Sequence, residues 1–126
     1  MSDRILYIDD EADIREIAQM ALELDSAFAV RTSASGREGI AAARDWAPAL
    51  ILLDVMMPEL DGPAVLGLQM RDDPATSKIP IVFITARTQA QEVAHLQALG
   101  ARGVIAKPFD PMTLAGQVRD FLDERI

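Results

Sequence analysis

The run Ala49-Leu50-Ile51-Leu52-Leu53 constrains this chain more than any other five residues. Five consecutive apolar side chains without alternation do not suit a strand that is wet on one face. They read as a strand buried on both faces, which requires layers packed above and below a sheet. Asp54 follows at once, and then Val55-Met56-Met57-Pro58. A carboxylate placed where such a strand runs out lies at the rim of the sheet, and in α/β proteins that rim is where ligands bind.

Four further short apolar runs, Ile5 to Ile8, Phe28 to Arg31, Ile79 to Ile84 and Gly103 to Ala106, alternate with amphipathic segments. Ile14, Ile17, Ala18, Ala21 and Leu22 fall at helical spacing and predict one buried face of a first helix. Ser35-Gly36-Arg37-Glu38 has the form of a capping box and opens a second helix, which Pro48 prevents from running far. Asp61-Gly62-Pro63 starts a third, with Val65, Leu66 and Met70 among its apolar positions. Val93, Leu96 and Leu99 mark a fourth, ended by Gly100. Asp110-Pro111 reads as an N-cap followed by proline at the first helical position, and Leu114, Val118, Phe121 and Leu122 give the last helix its inward face.

Strands and helices alternating at this length imply parallel strands joined by right-handed crossovers. The expected fold is therefore α/β: a doubly wound five-stranded parallel sheet of flavodoxin-like strand order 2-1-3-4-5. Its switch point lies between strands 1 and 3. That order sets whatever follows the first strand beside Asp54.

Composition narrows the partners. The 126 residues suit a single domain over 1–126, and half of them are hydrophobic, enough for a real core. A net charge of -8 argues against direct nucleic-acid binding and against anionic membranes. No apolar stretch approaches the ~20 residues of a membrane span, and Met1-Ser2-Asp3-Arg4 runs into a strand without a signal-peptide pattern. Cysteine is absent, which excludes disulfide and thiolate chemistry and fits a reducing compartment. The expectation is a soluble cytoplasmic domain.

Asp9-Asp10-Glu11 directly follows the first strand. Alone, such a cluster is most simply the acidic start of a helix, where it meets free amides and the dipole. A third carboxylate, Asp54, at the same end of the neighbouring strand changes that reading. Like charges brought so close need a cation or must hold protons. A hard ion such as Mg²⁺ suits oxygen ligands, with Asp10 and Asp54 as direct ligands and Asp9 holding a coordinated water. A backbone carbonyl in the loop after Asp54 completes the set. Zinc would call for His and Cys. Thr85 and Lys107 follow the last two strands and offer a phosphate a hydroxyl and a point charge. Taken alone they are a satisfied strand-end threonine and a solvated lysine. Together these groups support phosphoryl transfer onto a carboxylate.

Ile8-Asp9-Asp10-Glu11, the run Leu53-Asp54-Val55-Met56-Met57-Pro58-Glu59-Leu60-Asp61-Gly62, Thr85-Ala86 and Lys107-Pro108-Phe109 together resemble the receiver domain of two-component response regulators. The resemblance covers essentially the whole chain and is of the single-domain, chemotaxis-regulator kind. It implies that Asp54 is the phosphoacceptor, that Asp9 and Asp10 form the metal-binding acid pair, and that Met56 lends its carbonyl to Mg²⁺. It also implies that Thr85 is the switch hydroxyl, that Lys107 binds phosphate and that the Lys107-Pro108 bond is cis. The partners implied are a sensor histidine kinase or a histidine phosphotransfer protein upstream and an unknown downstream protein. A monomer or a phosphorylation-promoted homodimer is the expected range. Self-catalysed phosphorylation and dephosphorylation, rather than turnover of a small substrate, would be its chemistry. A phosphate sink, a relay intermediate or a receiver cut from a longer protein fits the same residues.

The chain departs from the family pattern three residues before the lysine, where receivers commonly carry Tyr or Phe and this sequence has Val104. Output is therefore expected to rely on the loop after Thr85 and on the fourth helix. Several residues invite other readings. His95, the one histidine, is expected on a partly solvated helix surface, Trp46 away from Asp54, and Phe109 in the core. Met56, Met57 and Met70 read as loop anchors and core filling. Arg119-Asp120 and Asp123-Glu124-Arg125 read most simply as the solvated face of the last helix, with a dimer contact as the alternative. The rival from another class is a haloacid-dehalogenase-type phosphohydrolase, which resembles Asp-x-Asp at its nucleophile; here the second position is Met56. A flavodoxin-like electron carrier is weaker, because the acidic Asp9-Asp10-Glu11 would repel a flavin phosphate.

Overall fold

In the computed structural model the described residues are 3–59, 61–65 and 72–123. The elements in chain order are β1 (Asp3–Ile8), α1 (Ala12–Leu22), β2 (Phe28–Ser33), α2 (Gly36–Trp46), β3 (Leu50–Asp54), α3 (Gly62–Ala64), β4 (Ile81–Thr85), α4 (Ala90–Ala98), β5 (Gly103–Ala106) and α5 (Leu114–Asp123). The strands form one parallel sheet in the order β2-β1-β3-β4-β5, as the alternation of elements predicts. β3 and β4 are buried along their whole length.

The period of two along each strand sorts the core into two layers. Ile5, Tyr7, Leu50, Leu52, Val82, Ile84 and Ile105 face α1 and α5, meeting Ala18, Leu22, Leu114, Val118 and Leu122. Leu6, Ile8, Ile51, Leu53, Ile81 and Phe83 face the other way, toward Ile40 and Ala43 of α2, Val65 and Leu96 of α4. Each fully buried aliphatic side chain contributes roughly 1.5–3 kcal/mol, so the double burial of the central strands supplies much of the driving force for this topology.

Helix boundaries follow their local chemistry. The Ser35 hydroxyl accepts from the Glu38 amide at 3.2 Å, and the Glu38 carboxylate reaches back to the Ala34 amide at 3.1 Å. Asp61 caps α3 by accepting from the Ala64 amide at 2.9 Å. Gly100, at φ 112°, ends α4 in a conformation that costs a residue with a Cβ. Gly62 lies where a Cβ would stand 2.5 Å from the Asp54 carbonyl oxygen, so the loop after β3 closes tightly under the sheet rim.

Four expectations need correction. Ile17 is 43% exposed rather than part of the buried face of α1, because it sits at the margin between the core and the loop after β5. α5 begins at Leu114, three residues beyond Pro111; Asp110 caps an intervening turn, its side chain accepting from the Met112 amide at 2.9 Å. Phe109 is half-buried and packs against the core rather than inside it. Arg119 is not simply solvated: its guanidinium pairs with Asp3 at 2.8 Å and Asp25 at 3.1 Å and lies 4.6 Å over the Phe28 ring. The apolar positions Leu66 and Met70, and Glu124 and Arg125, lie outside the described residues.

Candidate functional site

Register, not chance, assembles the polar groups. Ile8 pairs with Leu53, so Asp9 emerges beside Asp54. Asp54 pairs with Ile84, which puts Thr85 one step beyond, and Thr85 pairs with Ala106, which puts Lys107 next. All four residues therefore reach the same edge of the sheet, where parallel strands end together. Asp9, Asp54 and Thr85 are 0%, 4% and 3% exposed, whereas Asp10 is open to solvent.

Carboxylate oxygens of Asp9, Asp10 and Asp54 lie within 4.8 Å of one another. Lys107 Nζ stands 3.1 Å from Asp9 Oδ2, 3.6 Å from Asp54 Oδ2 and 3.7 Å from Glu11 Oε1. The Met56 amide donates to Asp54 Oδ1 at 3.3 Å, and the Arg87 amide donates to Thr85 Oγ1 at 3.0 Å. The Met56 side chain is 65% exposed. The Lys107-Pro108 bond is cis, as expected. His95 is exposed at the surface of α4, and Trp46 lies at the far end of α2.

Burial, reinforced by the Asp9 charge, pushes the Asp54 carboxyl up to about 6, against the opposing pull of Lys107 and the Met56 amide. Desolvation works against the Lys107 ammonium, but its hydrogen bond to Asp9 and the charges of Asp54, Asp9 and Glu11 outweigh it and raise its pKa. These are the signs expected of acids crowded around one cation and short of positive charge. Three carboxylates with a single neighbouring ammonium suit a hard divalent ion held by oxygen.

A cavity of about 520 Å³ opens directly onto Asp54, Thr85 and Lys107. Its walls are mostly apolar, formed by Ile14 and Ile17 of α1, Met56, and Phe109 with its neighbouring prolines. One polar residue in contact with the site escaped the sequence reading. Tyr7 donates its hydroxyl to Asp9 Oδ2 at 3.0 Å. The signal was present: residues two apart on a strand share a face, so a hydroxyl two residues before Asp9 points to the same side as its carboxylate.

The fold and this rim of acids, hydroxyl and lysine define a class, and comparison with known proteins agrees. The family model of the response regulator receiver domain matches residues 5–119. The chain belongs to that family, whose members are phosphorylation-controlled signalling switches rather than enzymes of small substrates. It is 37% identical over 118 residues to the transcriptional regulatory protein CseB of Streptomyces avermitilis, an alignment covering 94% of this chain and 48% of that protein. The response regulator Rre1 of Synechocystis is 35% identical over 118 residues, covering 94% and 51%. The chain thus spans about half the length of these curated relatives. Among solved structures, the chemotaxis protein CheY4 of Vibrio cholerae superposes with a TM-score of 0.86 at 30% identity, covering 96% of this chain and 99% of that one. The dehalogenase-type alternative finds no support in these comparisons.

Proposed function

We propose that this chain accepts a phosphoryl group on Asp54 from the phosphohistidine of a sensor kinase or phosphotransfer protein, with Mg²⁺ bound, and signals through contact with a downstream protein. The observation that carries this reading is the convergence of Asp9, Asp10 and Asp54 with Lys107 3.6 Å from the Asp54 carboxylate. Asp54, Asp10 and the Met56 carbonyl would hold the ion, with Asp9 orienting one of its waters. When bound, the ion neutralises phosphoryl oxygens and acidic charge alike.

The remaining work belongs to the chain itself. An Asp54 oxygen attacks phosphorus, the P–N bond of the donor breaks, and its electron pair stays on the imidazole nitrogen. Lys107 takes a share of the charge on the transferred group, and Thr85 donates its hydroxyl to a phosphoryl oxygen in the product. The apolar walls of the cavity exclude water from one side of the acyl phosphate. Hydrolysis of that bond returns the switch to its resting state, which is self-catalysis and not turnover of a small substrate.

Intact-mass spectrometry after incubation with acetyl phosphate tests the reading. The expected result is a gain of one phosphoryl group that requires Mg²⁺ and is lost in Asp54→Ala. Labelling that survives in Asp54→Ala, or proceeds equally in chelator, contradicts it.

A further inference from the structure

Tyr7 is a buried polar side chain that the phosphorylation scheme leaves without a task. It is the chain's one tyrosine and is 1% exposed. Its ring meets Phe109 edge-on, with centroids 6.5 Å apart and planes at 73°. Its hydroxyl and Lys107 Nζ donate to the same oxygen, Asp9 Oδ2, at 3.0 and 3.1 Å. The Glu11 amide takes Oδ1 at 3.0 Å. A carboxylate accepts about four hydrogen bonds, so the wholly buried Asp9 is held from three sides by the strand before it, the turn that leads into α1 and the end of β5.

Lys107 is thus divided among Asp9, Asp54 and, at longer range, Glu11. To follow a phosphoryl group on Asp54, the ammonium must loosen its hold on Asp9. Stripping a buried acceptor of its donor costs about 1–3 kcal/mol, and more for a charged group. With the Tyr7 hydroxyl on the same oxygen, Asp9 Oδ2 keeps a donor when Lys107 leaves. We propose that Tyr7 is a positioning residue for phosphorylation, holding Asp9 so that Lys107 is free to move with the phosphoryl group. This inference rests on Asp54 being the phosphoacceptor.

Tyr7→Phe keeps the ring and its contact with Phe109 and removes the hydroxyl alone. Two quantities separate the roles: the rate of labelling by acetyl phosphate at saturating Mg²⁺, and Mg²⁺ affinity by calorimetry on the unlabelled protein. The expected result is a rate lowered about tenfold, the equivalent of one charge-assisted hydrogen bond, with Mg²⁺ affinity unchanged. Val118→Ala, in the same core layer but not among the residues lining the site, should lower Tm and leave the rate alone. In the wild type, tyrosine labelled with ¹³C at Cζ gives a single resonance, which should shift on phosphorylation as Lys107 leaves the shared oxygen. An unchanged rate in Tyr7→Phe, a loss explained by weaker Mg²⁺ binding, or a tyrosine resonance that stays put overturns the proposal. If Tyr7→Phe does not fold, the wild-type resonance decides. Failure of the wild type to label at all would instead overturn the Asp54 reading, and this inference with it.

Discussion

At Asp54, burial and a neighbouring charge act together on the reactive carboxyl. Its carboxyl is pushed up to about 6 by burial and by Asp9, above the value of an unfolded chain. A raised acid stabilises the fold while it holds its proton. That contribution is fully present below about pH 4 and is lost as pH rises through about 6. In chelator, Asp54→Asn should therefore escape a loss on the order of 2 kcal/mol that the wild type suffers across this window. Denaturant unfolding at a series of pH values measures it, and parallel curves for the two proteins would refute it. Above pH 6, Mg²⁺ should restore stability to the wild type and do little for Asp54→Asn. The residues of the site were legible in sequence because parallel strands all end on one edge, so four strand-end side chains must meet. Tyr7 was not, because a phenol inside an apolar run looks like core, and its ring is core; only the hydroxyl belongs to the site.

At the scale of elements, the strands of the sheet were legible to within two residues at either end, and β3 and β4 most plainly, since double burial writes itself as unbroken apolar runs. Helix faces were less so. Periodicity gives the direction of an apolar face but not its width, which is why the spacing puts Ile17 inside while it lies at the cavity's edge. Asp110-Pro111 reads as a helix start but caps a separate turn instead, because a cap does not say which of the two follows. The element that should transmit phosphorylation is the segment between β4 and α4. Thr85 is tied to it through the Arg87 amide, whereas Val104 is a half-buried aliphatic side chain packed on the opposite core layer from Asp54. Crystal structures with and without a phosphoryl mimic should show residues 86–89 and α4 displaced while Val104 keeps its rotamer. Superposition of that loop and helix without change would contradict this.

The whole molecule is polar in a literal sense, with its chemistry at one end of the sheet. Trp46 closes α2 at the other end, with the guanidinium groups of Arg31 and Arg4 5.3 Å and 6.0 Å from its ring. Arg4 also donates to the Trp46 carbonyl at 2.7 Å. Phosphorylation should leave Trp46 emission unchanged under conditions where mass spectrometry shows full labelling; a clear change in intensity would mean that the two ends communicate. The Arg119 fork carries a different consequence, one of timing. It joins Asp3 to a residue 116 positions later, and its helix supplies Leu114, Val118 and Leu122 to one side of the sheet. During synthesis, which runs at about 5–20 residues per second, the first three strands are available long before that helix leaves the ribosome. Through that interval one side of β1 and β3 has only α1 to cover it, so the nascent chain passes through a stage with an open apolar flank that only its last helix can close.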